Sequence, residues 1–445
     1  MRHNVTIEEA QNLLVNAAAA VKTTMVSLDS ASGRVLGETA AADYYVPPFN
    51  RSAMDGYAVI AGDTVGAMPE QPIILRVEAD GASTPGRAMA RGAAVKVMTG
   101  EPIPEGADTV VKYEEVRRQG DTLAVYRALP AGENVVPLGE DMKPGDTIAR
   151  EGTLITPAVA AVLAGQGKGR VRVYRRVRVA ICNTGDELLH PSEGPRPGKV
   201  YNSIYHGLAA RCRELGARPV DLGITPDDVE ETVRRIASGL ERADLVVITG
   251  GVSVGEYDVV EDSLQGLGAE YIFRRVLMKP GSPMLAARKD GKIIVGLSGN
   301  PAAAMISFEL IVAPLIRRLM GLRKTTAPRF QGEMVDGFKK ASPQRRLLRA
   351  QLVRQDGKNL VRLTGAQTNG VLKSMIHCNA LVDIPAGSGP VSAGQPVTGF
   401  LIGRVDQADG EETAWVPMVV PGRGGVGRGT DAERDPQTPW IITKY

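Results

Sequence analysis

A glycine-rich run, Thr249-Gly-Gly-Val-Ser-Val-Gly-Glu-Tyr-Asp258, follows the apolar stretch Leu245–Thr249. Gly250, Gly251 and Gly255 allow backbone N–H groups to approach an anion, Ser253 adds a hydroxyl, and Asp258 stands beyond them. The run is neither a GxGxxG fingerprint nor a GxxxxGK[ST] loop, which argues against dinucleotide and kinase-type ATP binding. A second stretch, Pro47-Pro-Phe-Asn-Arg-Ser-Ala-Met-Asp-Gly-Tyr-Ala-Val59, presents Asp55 in a turn from a different part of the chain. Further carboxylates, Asp141, Asp186, Glu187 and Asp227, sit beside glycines or at predicted strand ends. Several of them converging would suit Mg²⁺, which takes one or two carboxylates together with water and phosphate oxygens. Cleavage of a phosphoanhydride would then rest on positioning and metal charge rather than on a protein nucleophile. In Arg274-Arg-Val-Leu-Met-Lys-Pro-Gly-Ser-Pro283, the cations Arg275 and Lys279 flank a Pro-Gly turn ending in Ser282. Such a turn can hold a small oxyanion by charge and hydrogen bond. Gln344-Arg-Arg-Leu-Leu-Arg349 supplies more positive charge.

These residues need elements to hold them. Residues 6–28 carry an alanine-rich helical pattern with a capped start, and 157–165 carry another. Between them, short β-type runs such as Ile73–Val77, Ala94–Met98 and Thr109–Tyr113 alternate with Gly and Pro, which predicts a β-rich insert. From Val177 strands and helices alternate: strands over 177–182, 218–222, 245–249 and 292–297, helices over 205–216, 227–240 and 301–319. That alternation predicts a parallel sheet with crossover helices, which binds ligands beyond the carboxyl ends of its strands. The turns at Gly250 and at Leu297-Ser-Gly-Asn-Pro301 lie at such ends. Strands over 347–353, 360–363, 380–384 and 397–402 predict a small β domain, and the Gly- and Pro-rich residues after Arg404 a flexible tail.

At 445 residues the chain is too long for one ordinary domain. Its 43% hydrophobic and 23% charged residues are those of an ordinary globular protein. A net charge of +3 gives no reason to expect nucleic acid, and no apolar run approaches the ~18 residues of a membrane span. Cys182, Cys212 and Cys378 stand singly without CxxC spacing, and the start lacks a signal-peptide core. Reduced thiols in a cytoplasmic protein are expected, without zinc.

Taken together, these motifs resemble the molybdopterin molybdenumtransferase family, which includes bacterial MoeA proteins and the E domain of gephyrin. The matching segments are Pro48–Ala58, Val97–Gly100, Gly139–Asp141, Asn183–Leu188, Thr249–Asp258, Met278–Gly281 and Gly296–Pro301, in the family's order. The resemblance implies an elongated homodimer of multidomain α/β subunits. Residues 1–46 with 141–176 would form an elongated helical linker domain and 47–140 the β-rich insert. Residues 177–322 would form a three-layer α/β domain of molybdopterin-binding type, 323–403 a β-barrel-like domain, and 404–445 the tail. The implied reaction inserts molybdate into adenylylated molybdopterin, cleaves the adenylate and releases AMP, with Mg²⁺ assisting.

Carried over residue by residue, Asp55 and Thr99 would come from the partner's insert. Asp141, Glu187, Asp227 and Asp258 would handle metal and pterin phosphate, with Asp186 among the metal ligands. Gly250, Gly251 and Ser253 would cradle phosphate. Lys279 and Arg275 would attract molybdate, and Ser282, Asn300, Pro301 and Arg349 would complete the ligand-binding set. The chain departs from its resemblance at Ser282, where many relatives carry Lys, and at Ser298, Ala303, Ile204 and Arg346. Molybdopterin adenylyltransferases, which resemble residues 177–322 alone, are the first rival, and a non-catalytic scaffold the second. Adenylyltransferase and molybdoenzymes would be the partners in such a pathway.

Overall fold

A computed structural model describes residues 2–78, 88–252 and 259–403, together with the backbone of 406–407. Ser253 and Asp258, expected in the site, lie outside the described residues, as does nearly all of the expected tail.

The chain begins with β1 (Arg2–Val5) and α1 (Ile7–Ala17). Glu9 N–H donates to the Thr6 hydroxyl at 3.2 Å while Thr6 N–H donates to the Glu9 carboxylate at 2.8 Å. This reciprocal box starts the helix. The helix stops well short of residue 28. Thr23, Thr24 and Val26 are β-branched, and their segment Thr23–Ser27 pairs antiparallel with Arg170–Tyr174. That two-stranded ribbon and the helix Pro157–Gly165 form the linker, with a core of Leu36, Ile155, Leu163 and Val173.

The insert is a six-stranded sheet in the order Thr109–Lys112, Gly56–Val59, Ala93–Val97, Ile73–Val77, Thr122–Val125, Val116–Gln119. It has its own cores, one around Tyr57, Leu75, Val111 and Leu123, the other around Ala58, Val95, Val97 and Val110.

The α/β domain comprises β2 (Arg178–Thr184), α2 (Ser203–Glu214), β3 (Arg218–Thr225), α3 (Val229–Arg242) and β4 (Leu245–Thr249). It continues through α4 (Val259–Gly266), β5 (Glu270–Val276), β6 (Met284–Lys289) and β7 (Lys292–Leu297) to the helix α5 (Pro301–Ser307). A π-helical turn, Phe308–Val312, joins α5 to α6 (Ala313–Leu319). Strand order in this seven-stranded sheet is β1-β5-β6-β7-β4-β2-β3. β7, β4, β2 and β3 are mutually parallel, as expected, but β6 runs antiparallel to β5 and β7. The link from β5 to β6 is too short for a parallel crossover, which needs a dozen residues or more. Asp290 and Gly291, both at positive φ, turn β6 directly into β7.

The first residues pack on the α/β domain. β1 adds a strand parallel to β5, and Ile7, Ala10 and Leu14 of α1 share a core with Val179, Val247 and Phe273. A separate core on the opposite face gathers Ala180, Ile236, Val246, Ile248 and Leu264.

The C-terminal strands are β8 (Arg329–Met334), β9 (Arg346–Gln355), β10 (Lys358–Leu363), β11 (Ala380–Ile384) and β12 (Pro396–Leu401). They order as β10-β8-β12-β11-β9, and the pairing of β9 with β10 closes a barrel. Alternation along β9 sends Leu348, Ala350 and Leu352 into the barrel, whereas Leu347 joins the core of the α/β domain. The barrel is therefore docked through β9.

Candidate active site

The carboxyl ends of β2, β3, β4 and β7 lie side by side, and each continues into a turn carrying candidate residues. After β2 come Gly185, Asp186 and Glu187; after β3, Asp227; after β4, Gly250 and Gly251; after β7, Ser298, Asn300 and Pro301. Gly185 N–H donates to Thr225 O at 3.1 Å, Gly250 N–H to Leu297 O at 3.1 Å, and Asp227 N–H to the Asp186 carboxylate at 3.4 Å. These bonds stitch the turns into one edge. Asp186, Glu187 and Asp227 are exposed there.

The glycine turn is close-packed. Gly250 has φ 89° and Gly251 φ 61°, in the region that glycine tolerates. A Cβ on Gly250 would collide with the Thr184 carbonyl, and one on Gly299 would come within 3.3 Å of Gly250 Cα. Asn300 N–H and its carboxamide both donate to the Ser298 hydroxyl, at 3.2 and 3.3 Å, which shapes the start of α5. Pro301 follows at the first position of that helix, where a missing N–H is harmless.

β5 feeds the loop carrying Lys279 and Ser282. Its shape is imposed from the barrel: Lys279 N–H donates to Arg345 O at 2.9 Å, and Leu347 N–H donates to Lys279 O at 2.8 Å. Ser282 donates its hydroxyl to Val276 O at 2.8 Å, so its proton is engaged within the loop. Arg275 and Lys279 are exposed, and Arg275 adopts φ 65°, uncommon for a residue with a side chain.

Arg349 occupies a different environment. It lies on β9 in the same alternating row as Arg345 and Leu347, and it is fully buried. Its Nη2 donates to Ala366 O at 2.9 Å and Thr368 O at 3.0 Å, but Nε and Nη1 have no partner among the described residues. Burial pushes the guanidinium below its ordinary pKa. The hydroxyls of Ser307 and Thr364 are also buried without partners among the described residues, and the Ser307 hydroxyl faces Gly281 of the Lys279 loop, where a Cβ would not fit. An unpaired buried donor costs about 1–3 kcal/mol. An acceptor reaching the Arg349 guanidinium would recover it.

On the insert, Asp55 accepts from Thr99 twice, from the hydroxyl and from the backbone N–H, each at 2.7 Å. The hydroxyl first, then the N–H, holds the Asp55 carboxyl below its usual range. Both residues are exposed, and the hydrogen bonds of this pair stay within the insert. Asp141 sits at the neck between insert and linker, where its N–H donates to Val46 O at 2.9 Å. The candidates thus fall into an edge on the α/β domain, the Lys279 loop, Arg349 on the strand that pairs with that loop, a pair on the insert, and Asp141 alone.

For a metal, the edge offers carboxylate oxygens, the donors a hard cation takes. Among the described residues no three acidic, histidine or cysteine side chains gather closely enough to hold an ion by themselves. The sequence reading missed a buried polar chain behind the edge: Asn183, Asn202 and Thr249. Its signal was present, since Asn183 and Thr249 stand at the ends of largely apolar runs, Val179–Cys182 and Leu245–Ile248.

The MoeA N-terminal region (domain I and II) matches residues 5–167, the probable molybdopterin binding domain matches 180–318, and the MoeA C-terminal region (domain IV) matches 331–402. A molybdopterin molybdenumtransferase of Staphylococcus epidermidis is 33% identical over 398 residues, covering 89% of this chain and 95% of its own. One from Staphylococcus aureus is 31% identical over 412 residues, covering 92% and 98%. Two crystal structures of molybdopterin biosynthesis moeA protein from Pyrococcus horikoshii superpose with TM-scores of 0.80 and 0.76. They are 26% and 28% identical, and cover 90% and 89% of this chain and 100% of their own. With these matches running nearly end to end over both partners, the chain belongs to the molybdopterin molybdenumtransferase (MoeA) family.

Proposed function

We propose that the chain inserts molybdenum into adenylylated molybdopterin, with molybdate as the metal source and AMP as the leaving product. One observation carries the reading: a packed glycine turn amid strand-end carboxylates shares its domain with the cationic Lys279 loop, and β9, whose Leu347 bonds that loop, also carries a buried guanidinium with donors unused among the described residues. The first group suits a phosphorylated ligand, and the second a compact oxyanion. In this scheme Gly250 and Gly251 bring backbone donors to phosphate, and Asn300 with Pro301 closes that pocket. Arg349 donates to molybdate, while Lys279 and Arg275 add attraction from the loop. Ser282 supports the loop rather than donating to the ion, because its proton is already engaged.

Asp186 and Asp227, with Glu187 nearby, suit Mg²⁺ in donor chemistry, supplemented by phosphate oxygens. A divalent ion bound there would neutralise phosphate charge as the phosphoanhydride breaks. Asp55, with Thr99 orienting it, would enter the cleft from a second copy of the chain in a homodimer. The exposure of this pair, whose bonds are confined to the insert, supports that arrangement. The reaction would proceed in the cytoplasm.

The test is incubation of the purified protein with adenylylated molybdopterin, molybdate and Mg²⁺. AMP and molybdenum-loaded pterin should appear together, each dependent on molybdate. Production of adenylylated pterin from ATP, without molybdenum insertion, would transfer the chain to the adenylyltransferase reading.

A further inference from the structure

Behind the glycine turn, three buried side chains form a hydrogen-bond chain with a fixed direction. Asn202 caps α2, and its Oδ1 accepts from Tyr205 N–H at 3.3 Å. A backbone N–H can only donate, so the Asn202 carboxamide must present its Nδ2 to the other side. That Nδ2 donates to Asn183 Oδ1 at 3.1 Å, which in turn obliges Asn183 to present Nδ2 to Thr249. Asn183 Nδ2 donates to Thr249 Oγ1 at 2.6 Å. Every donor points the same way, and such chains polarise their members in sequence.

Thr249 terminates the chain. Its oxygen is an acceptor, so its own proton must go elsewhere, and among the described residues it donates to none. The residue is 2% exposed, and it is the last of β4, immediately before Gly250. We infer that the Thr249 hydroxyl is an additional donor to a phosphate oxygen of the substrate, and that Asn183, held by Asn202, is the positioning residue that aims it. The inference rests on the proposed function and deepens it by assigning a donor and its support at the same edge. It also links two ligand-bearing segments. Asn202 ends the excursion that carries Asp186 and Glu187, closed by Val200 N–H to Glu187 O and Asn202 N–H to Leu189 O, both at 2.8 Å. Through Asn183 that excursion is tied to the glycine turn.

Equilibrium binding of adenylylated molybdopterin under anaerobic conditions tests this, with melting midpoints recorded alongside. Thr249→Val keeps shape and branching but loses the hydroxyl, and should weaken binding about tenfold or more. Thr249→Ser keeps the hydroxyl and should remain within about threefold of the parent. If Thr249→Val does not fold, Thr249→Ala takes its place with the same expectation. Asn183→Leu should also weaken binding, and the Asn183→Leu/Thr249→Val double variant should bind no worse than Thr249→Val alone. Unchanged affinity in Thr249→Val, with normal parent binding, would overturn the inference and leave the proposed function standing. Fully additive losses would overturn the role of Asn183 as acting through Thr249. A parent protein with no affinity for adenylylated molybdopterin would overturn the proposed function, and this inference with it.

Discussion

Arg349 has a buried guanidinium with one satisfied end and, among the described residues, two donors left open. Replacing a charge that has no counter-charge by an apolar side chain of similar length relieves desolvation. Arg349→Met should therefore keep or raise the melting midpoint while weakening molybdate binding about tenfold to a hundredfold, the worth of a charged hydrogen bond. Calorimetry with molybdate and a thermal melt on the same sample check both parts; a lower midpoint with intact binding would assign Arg349 a structural task instead. At Asp55 the prediction concerns pH. Thr99 lowers the Asp55 pKa, so the carboxylate stays ionised to lower pH than an ordinary aspartate. Thr99→Val removes the larger of the two causes, and the acid limb of the kcat/KM profile should move to higher pH. An unmoved limb would separate Asp55 ionisation from turnover.

Among the elements, the turns after β2 and β4 are packed so closely that neither can change alone. Gly250→Ala demands a left-handed backbone from alanine and drives its methyl into the Thr184 carbonyl. It should shift the turn and reduce affinity for adenylylated pterin more than tenfold, with a stability loss of about 1–3 kcal/mol. Binding at parental strength would show that the turn has more room than its geometry implies. A second coupling joins α1 to the barrel. Arg345 bridges Glu8 at 2.7 Å and Asp383 at 2.8 Å, and Arg329 reaches Asp383 at 2.8 Å. Arg345 lowers the Glu8 pKa by hydrogen bond; burial raises that of Asp383, but bonds and charge from Arg345 and then Arg329 bring it lower on balance. Both folded-state values lie below the unfolded ones. Their stabilisation is therefore present above the ordinary carboxylate range and is lost as pH falls through the depressed values. Melting midpoints recorded downward through the acid range should fall less steeply in Asp383→Asn than in the parent, and equal slopes would count against the latch. Glu8 is half-exposed, so its share is at most about 1 kcal/mol.

For the whole molecule, the separation of Asp55 from the sheet edge decides what assembly the reaction needs. The insert carries its own cores, and the edge belongs to a domain reached only through the linker. If two copies share each cleft, Asp55→Ala and Asp227→Ala proteins should each be inactive, yet their heterodimer should regain one intact cleft of two. Verified heterodimers with no regained turnover would restrict each cleft to one chain. The barrel is part of this arrangement too, because the backbone at Arg345 and Leu347 shapes the Lys279 loop and Arg349 lies buried two residues further along β9.

Much of the local order follows from the sequence by itself. Thr6 and Glu9 start a helix because their side chains satisfy its first N–H groups, and apolar runs such as Leu245–Thr249 form buried strands. Glycines at 250 and 251 mark a turn that other residues would strain. Those signals are read within a few residues, which is also why the motif order identified the family. Tertiary contacts alone decided where β-branched Thr23–Ser27 would find its partner, that β1 would extend the α/β sheet, and that β6 would reverse direction. Likewise, nothing local distinguishes Arg349 from Arg345 and Arg346, three cations within five residues. Burial separates them, because desolvation and unpaired donors arise only once segments distant in sequence, such as 366–368, remove the water.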